Sequence, residues 1–86
     1  MSTPAELIQF LGLISSETEE GACFANALAD KLDEIASEIA YKLEGSPTCQ
    51  EVAEVTRMNA GDMRDVASSL SGSAAEMRAY IRVIGS

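Results

Sequence analysis

The sequence predicts an all-α fold: an antiparallel helical hairpin of two long helices, pairing into a four-helix bundle. Three observations carry this. Apolar residues recur at steps of three and four along most of the 86-residue chain, the spacing of one helix face. The strongest helix-stopping signal, Gly45-Ser46-Pro47, falls near the middle. The composition is 47% hydrophobic with six Gly and two Pro, too apolar for a disordered chain and too poor in turn residues for a β fold. A chain of this length supports one core, so residues 1–86 are expected to form a single domain.

The first helix is expected to begin near Pro4. Thr3 stands at the capping position, Pro4 suits the first helical position, and Glu6 is the acid of a capping box. Leu7, Phe10, Leu11 and Ile14 then make an apolar stripe. Ser15 and Ser16 follow, and Ser16 with Glu19 makes a second capping box, so the helix either continues with a bend or stops here. A stop gives a three-helix bundle in place of the hairpin, and both arrangements stay open. From Glu17 to Leu43 the stripe runs through Phe24, Leu28, Leu32, Ile35, Ile39 and Leu43, with Asp30, Lys31, Asp33, Glu34, Glu38 and Lys42 facing away from it.

Gly45 suits a left-handed cap, and Ser46 and Pro47 open the second helix. Beyond Val52 and Val55, the residues Asn59, Met63, Val66, Leu70, Ala74, Met77, Ile81 and Ile84 keep a near-heptad phase. Gly61 and Gly72 lie inside that phase and Ser73 with Glu76 offers a fresh cap, yet the phase runs through them, which favours one helix. The arms match in length, about 61 Å for residues 4–44 and about 57 Å for residues 47–84 at ~1.5 Å per residue. Each helix of a hairpin has a single neighbour, so part of its apolar surface stays wet until two hairpins associate. The expected dimer or bundle interface is Leu28, Leu32, Ile35, Ile39, Met63, Val66, Leu70, Met77 and Ile81. Small residues at four-residue spacing, Gly21/Ala25/Ala29 and Ala67/Ser71/Ala75/Ala79, would permit close backbone approach or serve simply as good helix formers.

Chemistry is narrowed by what is missing. The chain has no His, hence no usual general base and no commonest metal ligand. Its two cysteines fall short of a zinc site and are not spaced as a redox pair. No catalytic, cofactor or metal site is expected, and an enzyme is not expected. Six basic against fourteen acidic residues give a net charge of -8, which repels nucleic acid and anionic membranes alike. No apolar stretch reaches the roughly 20 residues a spanning helix requires, and no signal peptide opens the chain, so a soluble cytoplasmic protein is expected.

The acidity is concentrated. Residues 1–46 carry nine acids and two lysines, whereas residues 47–86 carry five acids and four arginines. Asp30, Glu34 and Glu38, four apart and joined by Asp33, form a line of carboxylates about 6 Å from one to the next. That row is the candidate partner-binding face, suited to the groove of a basic nucleic-acid-binding protein, or else a solvated surface. Arg57, Arg64, Arg78 and Arg82 are expected to pair with acids of the neighbouring helix. Cys23 lies about 32 Å along the helix from the reversal and Cys49 just past it, too far for a disulfide within the chain, and both are expected to be buried thiols.

About ninety residues in two matched helices, reversing at Leu43-Glu44-Gly45, resemble the WXG-type proteins, small helical-hairpin dimers of type VII secretion. The likeness covers most of the chain in architecture and only Gly45 of the Trp-x-Gly turn motif. The Trp is absent, and Tyr80 is followed four residues later by Ile84 where the family's export signal has an acid. The resemblance implies a hairpin that assembles or is exported with a helical partner. The residues themselves point to a non-enzymatic, acidic helical interaction module, a homodimer or heterodimer, that binds and regulates or inhibits a partner protein, in the manner of phage or mobile-element accessory proteins.

Overall fold

The computed structural model describes residues 2–86 as two α-helices of 39 residues each, α1 over Pro4–Lys42 and α2 over Pro47–Gly85, folded back on one another. Local chemistry sets both ends. The Thr3 hydroxyl accepts the Glu6 backbone N–H at 3.1 Å, satisfying one of the free donors of the first turn, and its own proton is donated to the Glu6 carboxylate at 3.2 Å. At the reversal, the Leu43 N–H closes the last turn of α1 on the Ile39 carbonyl. Gly45 then takes φ +89°, and the Ser46 N–H returns to the Leu43 carbonyl. An L side chain at Gly45 would be strained there.

The first helix does not break at Ser15-Ser16, so the three-helix arrangement is not the one adopted. Ser15 is among the most buried residues, 2% exposed, and its hydroxyl donates to the Gly12 carbonyl at 2.9 Å. Thr18 bonds the Ile14 carbonyl in the same way. Both side chains satisfy their polar groups inside the helix that carries them, and neither turns to cap a new one. Gly61 and Gly72 likewise leave α2 continuous.

What packs α1 on α2 is a repeat of seven. Ser15, Ala22, Ala29 and Ala36 are buried on α1; Ala53, Ala60, Ala67 and Ala74 are buried on α2. In heptad letters these are position a on both helices, with Ile8 and Ile81 continuing the rows at the open end. Position d is filled by Leu11, Thr18, Ala25, Leu32 and Ile39 on α1, and by Cys49, Thr56, Met63, Leu70, Met77 and Ile84 on α2, nearly all half-buried. Ala22, Ala25 and Ala67 cluster with Leu70, whose Cδ1 lies 3.6 Å from where a Cβ on Gly21 would stand.

This corrects the expected contact line. Small residues do bring the backbones together, but at seven-residue spacing: Ser71, Ala75 and Ala79 are exposed. Asn59 and Val66 also point away from α1, while Ala60 and Ala67, beside them in sequence, take the buried positions. On α1 Leu28 and Ile35 flank the seam, and Phe24 is 74% exposed. Over residues 15–36 and 53–74 row a is kept to small side chains, which pack without voids there, while row d takes leucine, isoleucine and methionine at half-burial.

The result is long and thin, 63 × 19 × 13 Å, with a radius of gyration of 19.1 Å against about 12 Å for a compact chain of this length. Its accessible surface, 6079 Å², exceeds the about 4,900 Å² expected of a globular chain of this mass by about 1,200 Å². Three helical glycines add a correctable weakness, since a Cβ at Gly12, Gly61 or Gly72 would meet nothing within 4 Å. Gly72→Ala is therefore expected to stabilise the hairpin by about 1 kcal/mol through helix propensity alone. Urea unfolding followed by circular dichroism checks this, and an unchanged midpoint would contradict it.

Candidate functional site

With the a and d rows against each other, an antiparallel pair has two unlike flanks, e facing e and g facing g. The e flank is charged. Arg64 donates to Asp33 at 2.6 Å and to Asp30 at 3.1 Å, and Arg78 donates to Glu19 at 2.6 Å. Arg57 lies on the same row and Arg82 beside it on row b, so all four arginines belong to this side. The hydrogen bond and charge of Arg78 hold the Glu19 carboxyl below its ordinary pKa of 4.5. The two arginine pKa values are raised, for Arg64 chiefly by its hydrogen bonds to Asp33 and Asp30, for Arg78 by its bond to Glu19.

Because the folded Glu19 pKa is depressed, its contribution is present above pH 4.5 and is lost as pH falls through the lowered folded value. Glu19→Gln is accordingly expected to reduce the urea midpoint at neutral pH and to make no difference in strong acid. A midpoint gap that persists in strong acid would show that the ion pair is not its cause. The pair is exposed to water, so added salt should shrink the gap as well.

The opposite flank is apolar and uncovered. On α1, rows g and c present Leu7, Phe10, Ile14, Phe24, Leu28 and Ile35; on α2 they present Val52, Val55, Val66, Tyr80 and Val83. Most of these are exposed, with Phe10 at 58% and Val83 at 68% near the open end. They fall into two groups, Leu7, Phe10, Ile14, Tyr80 and Val83 at the open end and Phe24, Leu28, Ile35, Val52, Val55 and Val66 in the half toward the turn, separated by Glu17, Gly21, Ser69, Ser73 and Glu76. The residues expected as an interface therefore separate by role. Leu32, Ile39, Met63, Leu70, Met77 and Ile81 are half-buried in the hairpin seam, whereas Leu28, Ile35 and Val66 stand on the uncovered flank.

The carboxylate row Asp30, Asp33, Glu34 and Glu38 does not lie on one side. Asp30 and Asp33 are tied to Arg64 on the e flank. Glu34 sits on the outer row f, 3.6 Å from Lys31, and Glu38 stands on row c of the apolar flank. A four-residue step drifts around the helix, so the row winds from one flank to the other. Cys23 is exposed, which corrects its expected burial, and Cys49 is half-buried at the turn end of the seam; both are free thiols. The pattern missed in the sequence is the pairing of two heptads, one of small residues facing inward and one of large apolar residues facing outward.

Among the described residues there is no enclosed pocket, no group of three or more His, Cys, Asp or Glu placed to hold a metal ion, and no helix long and apolar enough to cross a membrane. No protein-family model matches the chain, and neither a characterised protein nor a solved structure is found to be similar to it.

Proposed function

We propose that this chain is a non-enzymatic helical interaction module that acts by laying its apolar flank against another protein, completing a bundle of helices. The observation that carries the reading is the placement of the large apolar residues. The fully buried residues of the seam are small, alanines and Ser15, while both phenylalanines and all four valines are turned to water. A chain that needed them only for its own stability would bury them, since each such side chain is worth about 1.5–3 kcal/mol when covered. The surplus of about 1,200 Å² over a globular chain also exceeds the about 800 Å² that one partner contributes to a standard interface. Regulation or inhibition follows if the covered partner surface is one the partner needs, and a basic nucleic-acid-binding protein is one class whose surface would be so masked.

A photoreactive amino acid placed at Phe24, compared with the same group at Asn26, which is exposed on row e of the charged flank, tests this in the cell of origin. A cross-link to one defined protein from Phe24 and not from Asn26 is the expected result. Equal labelling from both sites, or none from either, would remove the basis for an interaction role.

The matched arms and the reversal at Gly45 favour a second reading, a WXG-type hairpin exported or assembled with a helical partner. It requires the chain in the culture medium together with that partner, and strict retention inside the cell would exclude export.

A further inference from the structure

The charges around the apolar flank say what kind of surface covers it, if the chain is the interaction module proposed above. The outermost rows of the two helices, position f, form the long rims of the flank. They carry Glu6, Glu20 and Glu34 on α1, Glu51 and Asp65 on α2, and no Lys or Arg. Within the flank, row c adds Glu17, Glu38, Asp62 and Glu76, against which stand Lys31 and Lys42. The four arginines are on the far side, where Arg64 and Arg78 are engaged with acids. The net charge of -8 is thus carried almost wholly by the apolar side and its rims. A second copy laid face to face on this side would set acid against acid along the full length.

We infer that the apolar flank takes an amphipathic helical segment of a different protein, one whose apolar stripe is bordered by lysine or arginine, and not a second copy of this chain. The apolar stripe supplies contact area and the basic borders meet the acidic rims. The length fits as well: the turn-side apolar group runs from Phe24 to Ile35 on α1 and from Val52 to Val66 on α2, about three to four helical turns, enough for a docked helix to lie along it. Salt selectively weakens such binding, and discrimination between basic and acidic helices comes from the rims.

Three synthetic helical peptides test the inference: one with a leucine heptad stripe flanked by Lys, one with the same stripe flanked by Glu, and one with the Lys composition but a scrambled stripe. Fluorescence anisotropy at neutral pH should show the Lys-flanked peptide bound at least about tenfold more tightly than the Glu-flanked one, the difference closing toward molar salt. The scrambled peptide should not bind, which separates docking from bare charge attraction. Phe24→Ser with Val55→Ser should abolish binding at unchanged helicity, and Glu20→Lys, Glu34→Lys, Glu51→Lys and Asp65→Lys together should reverse the preference. Equal binding of the two striped peptides overturns the inference. So does a tight dimer of the unmodified chain in sedimentation, which would leave the interaction role standing with a second copy as occupant. An absence of cross-links from Phe24 in the cell would overturn the interaction role itself.

Discussion

Replacing Ala60 by leucine is expected to lower the stability of the hairpin by about 2–3 kcal/mol, although leucine is both a good helix former and more hydrophobic. Ala60 is fully buried on row a of α2, one heptad from Ala67, as Ala29 is on row a of α1. Ala67 itself clusters with Ala22, Ala25 and Leu70, and Ala53 and Ala36 are likewise fully buried. The added carbons have no void to enter, so the helices must part locally and the neighbouring layers lose contact. In a domain of this size the loss corresponds to roughly 10–20 °C in Tm. Ala75→Leu is the control, because Ala75 is exposed on the same helix and the change there should stay within about 0.5 kcal/mol. Thermal and urea unfolding followed by circular dichroism compares the two. If Ala60→Leu were as harmless as Ala75→Leu, the alanine rows would be a matter of helix propensity and close packing would not be what keeps row a small.

The ends and the reversal of the hairpin were legible because they depend on local chemistry that residue type determines. Thr3, Pro4 and Glu6 name a helix start wherever they occur in that order, and Gly45 before Ser46-Pro47 names a left-handed cap followed by a new start. The contact line was not legible in the same way. Ranking positions by hydrophobicity selects Leu32, Ile39, Met63, Leu70, Met77 and Ile81, which lie in the seam, together with Phe24, Leu28, Ile35 and Val66, which stand outside it, and does not separate the two sets. The usable signal was the seven-residue recurrence of Ala and Ser, in phase on both arms: 15, 22, 29, 36 and 53, 60, 67, 74. Finding it requires asking which positions are uniformly small, a question that amphipathicity does not pose. Ser15-Ser16 shows the same limit from the other side. The pair reads as a break, yet Ser15 is needed where it stands because it is small enough for the seam and can satisfy its own hydroxyl. The acidic row was visible as four residues, but whether they act together depends on which flank each one meets. That is fixed by the partner helix, through Arg64.

Acidification toward the isoelectric point near 4.2 is expected to convert the chain from a monomer at neutral pH into self-associated pairs. The attraction is present at every pH, since Phe10, Phe24, Val55 and Val83 are exposed whatever the charge. What changes is the opposition. At neutral pH two apolar flanks brought together also bring together the rims carrying Glu20, Glu34, Glu51 and Asp65 and the inner acids Glu17, Asp62 and Glu76. Like charges so juxtaposed cost several kcal/mol, enough to cancel an interface of ordinary size. As carboxylates take up protons that cost falls while the apolar contact is unaffected, so proton uptake and pairing are linked and each promotes the other. Sedimentation velocity across the range from neutral pH to about 4 reads the transition. Proteins near their isoelectric point also precipitate without specific contacts, and the control for this is Phe24→Ser with Val55→Ser, which leaves every ionisable group in place. That variant should stay monomeric at a pH where the parent chain pairs. If both associate alike, general loss of charge is the cause and the apolar flank has no part in it; if neither associates, the rims are not what keeps two copies apart.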